Sequence, residues 1–373
     1  MNLCVVGAGA AGLAAGAVCA GSMDVDILEV AADPGGLARG LEWHGCHLDI
    51  GGHRLRADTA EAASLWERVA ADYDIGLAPY STRFGIMSGG RVFTYPLDVR
   101  NLAKTLTPLE RVEAAATWAL AALQRRRDAT LDDWVRSRYG SYLTDRFFSE
   151  HAEKVFGMPA TELSAEWATD RIYDPSPRAL LRNLRVGGPG PSPYWYPVEG
   201  MRSMWSQIVA RLRAREVTVR FNERVEALGM HEGQWRVRSR RSDSSLAEGL
   251  YDGVIFTAPF AELVSMLGTR LNLDSSVLPA LRTLHVMLVH GRGTVETDRQ
   301  TIYLTGVPSN LRRVQIYNNW SAGSVQPGEF CVGLEVIGDA PTWGEEQVAA
   351  MLRMLPISQE GGIETRSVAL PHA

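Results

Sequence analysis

Cysteine is scarce in this chain of 373 residues: Cys4, Cys19, Cys46 and Cys331 are widely spaced and form no C-x-x-C pair. That spacing excludes the usual zinc and dithiol frameworks and fits a reduced, cytoplasmic chain. An excess of one charge is also missing. The 38 Lys and Arg against 43 Asp and Glu leave a net charge of -5, which offers no field for a polyanion, so nucleic acid is not an expected partner. The one basic run, Arg125-Arg126-Arg127, reads as a helix end, where cations complement the dipole. Beyond the N-terminus no apolar run is long enough to cross a bilayer, and no integral membrane segment is expected. Leu3 to Gly21 does carry no charge, but it lacks a basic flank and its glycines recur at a spacing with another purpose.

That stretch begins Leu3-Cys4-Val5-Val6-Gly7-Ala8-Gly9-Ala10-Ala11-Gly12, an apolar strand running into G-x-G-x-x-G and an alanine-rich helix. Gly7 suits a tight turn, Gly9 a close approach to a pyrophosphate, and Gly12 close helix-to-strand packing, with Ala10 and Ala11 at the helix start facing the anion. A second strand, Val25 to Glu29, ends in a carboxylate where a ribose hydroxyl pair needs an acceptor. Asp33-Pro34-Gly35-Gly36-Leu37-Ala38-Arg39 then adds a second glycine pair near the diphosphate, with Arg39 as counter-ion. Together these motifs resemble the FAD-binding proteins of the amine oxidase, protoporphyrinogen oxidase and UDP-galactopyranose mutase superfamily.

The length suggests two domains. The expected class is α/β, an FAD/NAD(P)-binding Rossmann-like domain with an inserted mixed α+β substrate domain. The first would comprise residues 1–80 and 200–260, the second 81–199 and 261–373. Leu41 to Arg54 reads as a strand entering a Gly-Gly turn. His44, Cys46, His47 and His53 match no zinc spacing, and strand alternation puts His47 opposite His44 and Cys46, so no metal is expected. The resemblance implies that Gly51, Gly52 and His53 lie beside the flavin ring. Phe84 to Met87 and Arg91 to Leu97 form an expected hairpin around Ser88-Gly89-Gly90. Thr107-Pro108-Leu109-Glu110 is a capping box feeding an apolar stripe, Leu109, Val112, Ala116, Leu120 and Leu123, expected in the core or at a domain interface. Thr130 to Trp134 starts a second helix with the same logic.

The stretch from Trp134 to Arg171, with Phe147-Phe148, Glu153 to Pro159 and Glu162 to Ala168, resembles the substrate domain of flavoproteins related to UDP-galactopyranose mutase. Chemistry alone leaves Lys154 and Arg171 either in a cleft or in solvent; the resemblance favours the cleft. It likewise implies substrate contacts at Tyr196, Arg313 and Tyr317, places Val225 beside adenine, and makes Thr257 part of the cofactor-domain strand ending Thr-Ala-Pro. Val198 stands where relatives carry a basic residue. Arginines alternating along Trp235 to Arg241 are expected on a solvated face. The resemblance implies a further strand and helix after Ala373 that contact the flavin, and three readings stand side by side: a reading frame cut short, a second polypeptide that supplies this wall, or a naturally reduced protein that binds flavin weakly.

The resulting expectation is an FAD-dependent oxidoreductase passing hydride to flavin N5 from a small amine, hydroxyl or sugar-type substrate, anionic or a sugar nucleotide. His53 is the candidate proton acceptor, because its reference pKa lies near neutrality. Two alternatives stand beside it: a flavin-dependent sugar-nucleotide mutase, and a non-catalytic nucleotide-binding protein with a degraded flavin site.

Overall fold

The computed structural model describes residues 1–124, 128–169, 194–267, 281–307, 310–321 and 323–371. It has an α/β architecture that divides into two compact units, one of residues 1–80, 193–282 and 370–373, the other of 81–192 and 283–369.

The first unit is built on a four-stranded parallel sheet. Strand β1 (Asn2–Val6) lies between β2 (Asp24–Leu28) and Gly253–Phe256, with Thr218–Arg220 outside β2. The register pairs Val5 with both Ile27 and Ile255. A strand hydrogen-bonded on both sides and covered on both faces must be apolar throughout, and Leu3 to Val6 are all buried. Helix α1 (Ala10–Cys19) returns from β1 to β2. It packs closely because Gly16 has no side chain: a Cβ there would stand 2.7 Å from Ile27 Cδ1. The helix Gly200–Ala214 buries Met201, Met204, Trp205, Ile208 and Leu212, the stripe of a 3.6-residue period. On Gln234–Arg241, the central strand of a three-stranded antiparallel sheet, Arg236, Arg238 and Arg240 are exposed while Val237 and Ser239 are buried, the expected solvated face.

The second unit carries a seven-stranded sheet in the order Ile357–Leu370, Leu284–Val295, Glu329–Ile337, Arg313–Ile316, Thr301–Thr305, Phe84–Ser88 and Arg91–Tyr95. The last two strands form the expected hairpin. The helix Pro108–Leu123 starts at the expected capping box, with Thr107 and Glu110 bonding each other's backbone N–H. The helix Leu131–Leu143 starts at Thr130, whose hydroxyl accepts from Asp133 N.

The stripe expected to be buried is not. Leu109 is 78 % exposed, Val112 66 %, Leu120 59 % and Leu123 85 %. The helix packs through its other side: the backbone of Thr117 and Trp118 lies against Gly140 of the neighbouring helix, where a Cβ would come within 2.6 Å. Periodicity identified an apolar face correctly, but that face points to solvent.

Candidate cofactor and substrate sites

At the C-terminal ends of the parallel strands the first unit holds a cavity of about 640 Å³, a size typical of small-molecule and cofactor sites. Its wall brings together Gly7, Gly9, Ala10, Ala11, Glu29, Gly36, Leu37, Arg39, Val225 and Thr257. Two glycine loops meet at this wall. Gly9 bridges Gly35, and the Gly35 N–H donates to Ala8 O. Gly36 has φ +57°, and a Cβ on it would stand 3.1 Å from Gly9 Cα. The first-turn N–H groups of α1 have no acceptor inside the helix. The first intrahelical bond is Leu13 N to Gly9 O, so Ala10 and Ala11 present donors and the positive end of the dipole to the cavity.

Gly12 lies behind this wall. A Cβ there would fall 1.9 Å from Gly7 O, so its absence sets the distance between helix and turn. Thr257 Oγ1 donates to Val6 O at 2.8 Å, tying the last parallel strand to the turn. Glu29 is 7 % exposed, and its carboxylate also organises the turn: Oε2 accepts from Ala8 N at 2.6 Å and Oε1 from Ala31 N at 2.8 Å. Each oxygen keeps a further lone pair for a ligand hydroxyl. Trp205, absent from the sequence-level candidates, holds the second loop: its Nε1 donates to Ala38 O at 2.8 Å, and its ring fills the space a Gly35 side chain would need. The wall also includes Val30, Arg224, Phe260 and Met266.

Gly51, with φ +90°, Gly52 and His53 belong to the same unit but are not among the lining residues. Tyr196 is buried, and its hydroxyl donates to Asp49 Oδ2 at 2.8 Å. Burial pushes the Asp49 carboxyl up to about 7, against the opposing effects of Tyr196 and the Met201 backbone. Asp49 ends the strand Cys46–Asp49, and the Met201 backbone that bonds it belongs to a helix some 150 residues later.

In the second unit Lys154 is folded onto Glu150, Nζ to Oε1 at 2.7 Å, and donates to Leu304 O at 3.3 Å. Arg313 Nε donates to Glu335 Oε2 at 2.5 Å, a carboxylate that is fully buried and also receives Arg312 and Gln315. Burial acts to raise the Glu335 pKa, but Arg313 and then Arg312 hold it below the carboxylate range. Arg312 is a residue that sequence reasoning missed. Burial and the adjacent Arg313 pull its pKa down to about 10, and among the described residues its Nε has no acceptor. His151 stacks edge-on to Tyr303, with centroids 5.0 Å apart. Burial, then Arg312, Arg313 and Lys154, push its pKa down to about 3, so it is neutral at pH 7. Tyr317 is 1 % exposed, with its hydroxyl filling the space above Gly333. Arg171 lies outside the described residues.

Residues 5–69 match the family described as an NAD(P)-binding Rossmann-like domain. The chain is similar over its whole length to a reduced UDP-galactopyranose mutase, covering 83 % of that protein at 18 % identity with a TM-score of 0.77. It is also similar over its whole length to a protein from Exiguobacterium sp. 255-15 assigned as a protoporphyrinogen oxidase, covering 86 % of it at 14 % identity and TM-score 0.72. The chain shares the fold of these two solved proteins. A Pyrococcus furiosus protein shares this fold at 17 % identity and TM-score 0.64, over 99 % of this chain and 88 % of that one. The Rossmann-like match takes in the glycine turn, β2 and the second glycine pair.

Proposed function

We propose that the first unit binds FAD and that the chain is an FAD-dependent oxidoreductase acting on a small amine, hydroxyl or sugar-type substrate with an anionic group. The observation that carries this reading is the meeting of the Gly9 and Gly36 backbones at the cavity wall, where neither position has a Cβ to keep a diphosphate away. The donor set fits the group. Ala10 and Ala11 N–H would take the pyrophosphate with Arg39 as counter-ion, Glu29 would accept the ribose hydroxyls, and Val225 would flank adenine.

When bound, FAD supplies a hydride acceptor at N5. The chain's own residues have the remaining work. Within the second unit, Arg312, with an uncommitted buried N–H, is the proposed holder of an anionic group, while Arg313 and Lys154 are paired with Glu335 and Glu150. Their charges are fixed before substrate arrives, so binding reorganises little. His151, neutral beside them, adds no repelling acid and no further cation. His53 is the proposed proton acceptor, because the reference pKa of an imidazole lies near neutrality.

A sugar-nucleotide mutase is the second reading, supported by the similarity to UDP-galactopyranose mutase. Anaerobic mixing of the FAD-loaded chain with anionic amines, anionic alcohols and UDP-sugars tests both. Bleaching of the flavin absorbance by an amine or alcohol is expected. Turnover of a UDP-sugar only after dithionite reduction would establish the mutase instead, and a chain that takes up no flavin would support the non-catalytic reading.

A further inference from the structure

Tyr303 lies at the centre of a group of charges in the second unit whose signs do not balance. It stands opposite Arg313 in register, with the Arg313 Cζ 5.9 Å from its ring centroid, and Arg313 stands opposite Glu335. The helix Glu150–Phe156 sets His151 edge-on against the same ring and carries the Glu150–Lys154 pair. Arg312, Arg313 and Lys154 supply three positive charges and Glu335 and Glu150 two negative ones, so one positive charge is left over among these described residues. The Arg312 side chain is only 11 % exposed, and water does little to compensate it. Two buried nitrogens from different elements also lack a partner among the described residues, Arg312 Nε and His151 Nδ1. A guanidinium N–H only donates, and imidazole Nδ1 donates once it holds a proton.

We propose that this cluster binds a tetrahedral dianion, the phosphate of a phosphate monoester, to which Arg312 Nε and His151 Nδ1 both donate while His151 takes up a proton from solvent. On the reading of Arg312 as the holder of an anionic group, on which this inference rests, the charge count selects the anion. A carboxylate, with one charge, cancels the surplus without any change at His151. A phosphate monoester carries close to two charges at pH 7 and three acceptor oxygens. Its second charge calls for a further cation, and His151 is the neutral group beside it able to become one. The groups around the imidazole are Glu150 and Lys154 on its own helix, Tyr303 and Tyr95 in the sheet, and Arg312, Arg313 and Glu335 beyond them. Both carboxylates are engaged by cations, so burial and then Arg312, Arg313 and Lys154 push the imidazole down to about 3 and keep it neutral before the anion arrives. A dianion set among those cations cancels their effect and restores the proton. Its binding therefore weakens as pH rises, because each bound dianion draws a proton that becomes scarcer.

Titration calorimetry of the full chain in the presence of FAD tests this with three small anions. Sulfate and methanesulfonate share a tetrahedral shape and differ in charge, and neither titrates near neutrality; methyl phosphate represents the proposed class. From pH 5 to pH 6 the sulfate Kd is expected to rise about tenfold and the methanesulfonate Kd to stay within about twofold. At pH 7 methyl phosphate should bind at least about tenfold tighter than methanesulfonate. His151→Gln keeps an N–H donor on a good helix former and cannot take the proton, so it should flatten the sulfate profile and remove the preference for the dianion. A flat sulfate profile in the wild type, the same profile in His151→Gln, or methanesulfonate binding as tightly as methyl phosphate would overturn the proposal while leaving Arg312 as the holder, provided that Arg312→Gln abolishes binding. No binding of any of the three, or binding that a folded Arg312→Gln retains, would overturn the Arg312 reading as well. Should Arg312→Gln not fold, the comparison of wild type with His151→Gln still decides the proposal.

Discussion

Glu29 serves both the turn and the proposed ligand. Its oxygens accept from Ala8 N and Ala31 N, so Glu29→Ala removes a ribose acceptor and also leaves buried N–H groups unpaired. Each unpaired group costs about 1–3 kcal/mol. Glu29→Ala is therefore expected to lower the melting temperature and to weaken FAD binding more than tenfold, read by calorimetry on the same samples. Asp49 gives a pH signature. Folded, it titrates near 7; unfolded, near 3.8. Between those values the folded chain holds a proton that the unfolded chain has released, so stability falls as pH rises through this window and levels off above it. The change is on the order of 4 kcal/mol. Asp49→Asn keeps an acceptor for Tyr196, and its urea midpoint should stay flatter than the wild type's from pH 4 to 7; equal slopes would remove Asp49 as the source. Glu29 was legible because its place at the end of β2 is local. Asp49 and Arg312 were not, because what matters about them is what distant segments bring near.

Among the elements, the strand–turn–helix unit separates folding from binding at neighbouring positions. Gly12→Ala would put a Cβ 1.9 Å from Gly7 O, and the chain should lose stability by several kcal/mol. Gly9 has φ -73°, and its added Cβ would meet only ordinary contact, 3.7 Å from Gly36 Cα. Gly9→Ala should keep its melting temperature, within about 0.5 kcal/mol, and lose FAD affinity, because the methyl stands where the diphosphate must come. In the sheet of the second unit Arg313 sits opposite Glu335 in register. Arg313→Ala leaves that buried carboxylate with less charge compensation and should cost about 3–5 kcal/mol in denaturant melts, whereas Arg313→Lys should recover part of it. Caps, hairpin and the arginine-bearing strand could be read from sequence, since each is decided within a few residues. The exposed stripe on Pro108–Leu123 could not, because a 3.6-residue period marks an apolar face without saying what covers it.

For the whole molecule, the α/β class and the Rossmann-like domain were legible because the glycine turn, Glu29 and Gly35-Gly36 occur in register along one stretch of chain. The cavity is a different matter: its wall draws on residues from near both ends of the sequence, with Leu370 and Pro371 facing the same space as Gly9. The role of Trp205 in bracing the second glycine loop is equally non-local. Everything proposed for substrate chemistry rests on the cavity holding FAD. Equilibrium binding decides this directly, with the purified chain titrated with FAD, and separately with NAD and ADP, beside Gly9→Ala. One FAD per chain, displaced by ADP and lost in Gly9→Ala at unchanged melting temperature, is the expected result; no FAD uptake, or uptake that Gly9→Ala leaves unaltered, would contradict it.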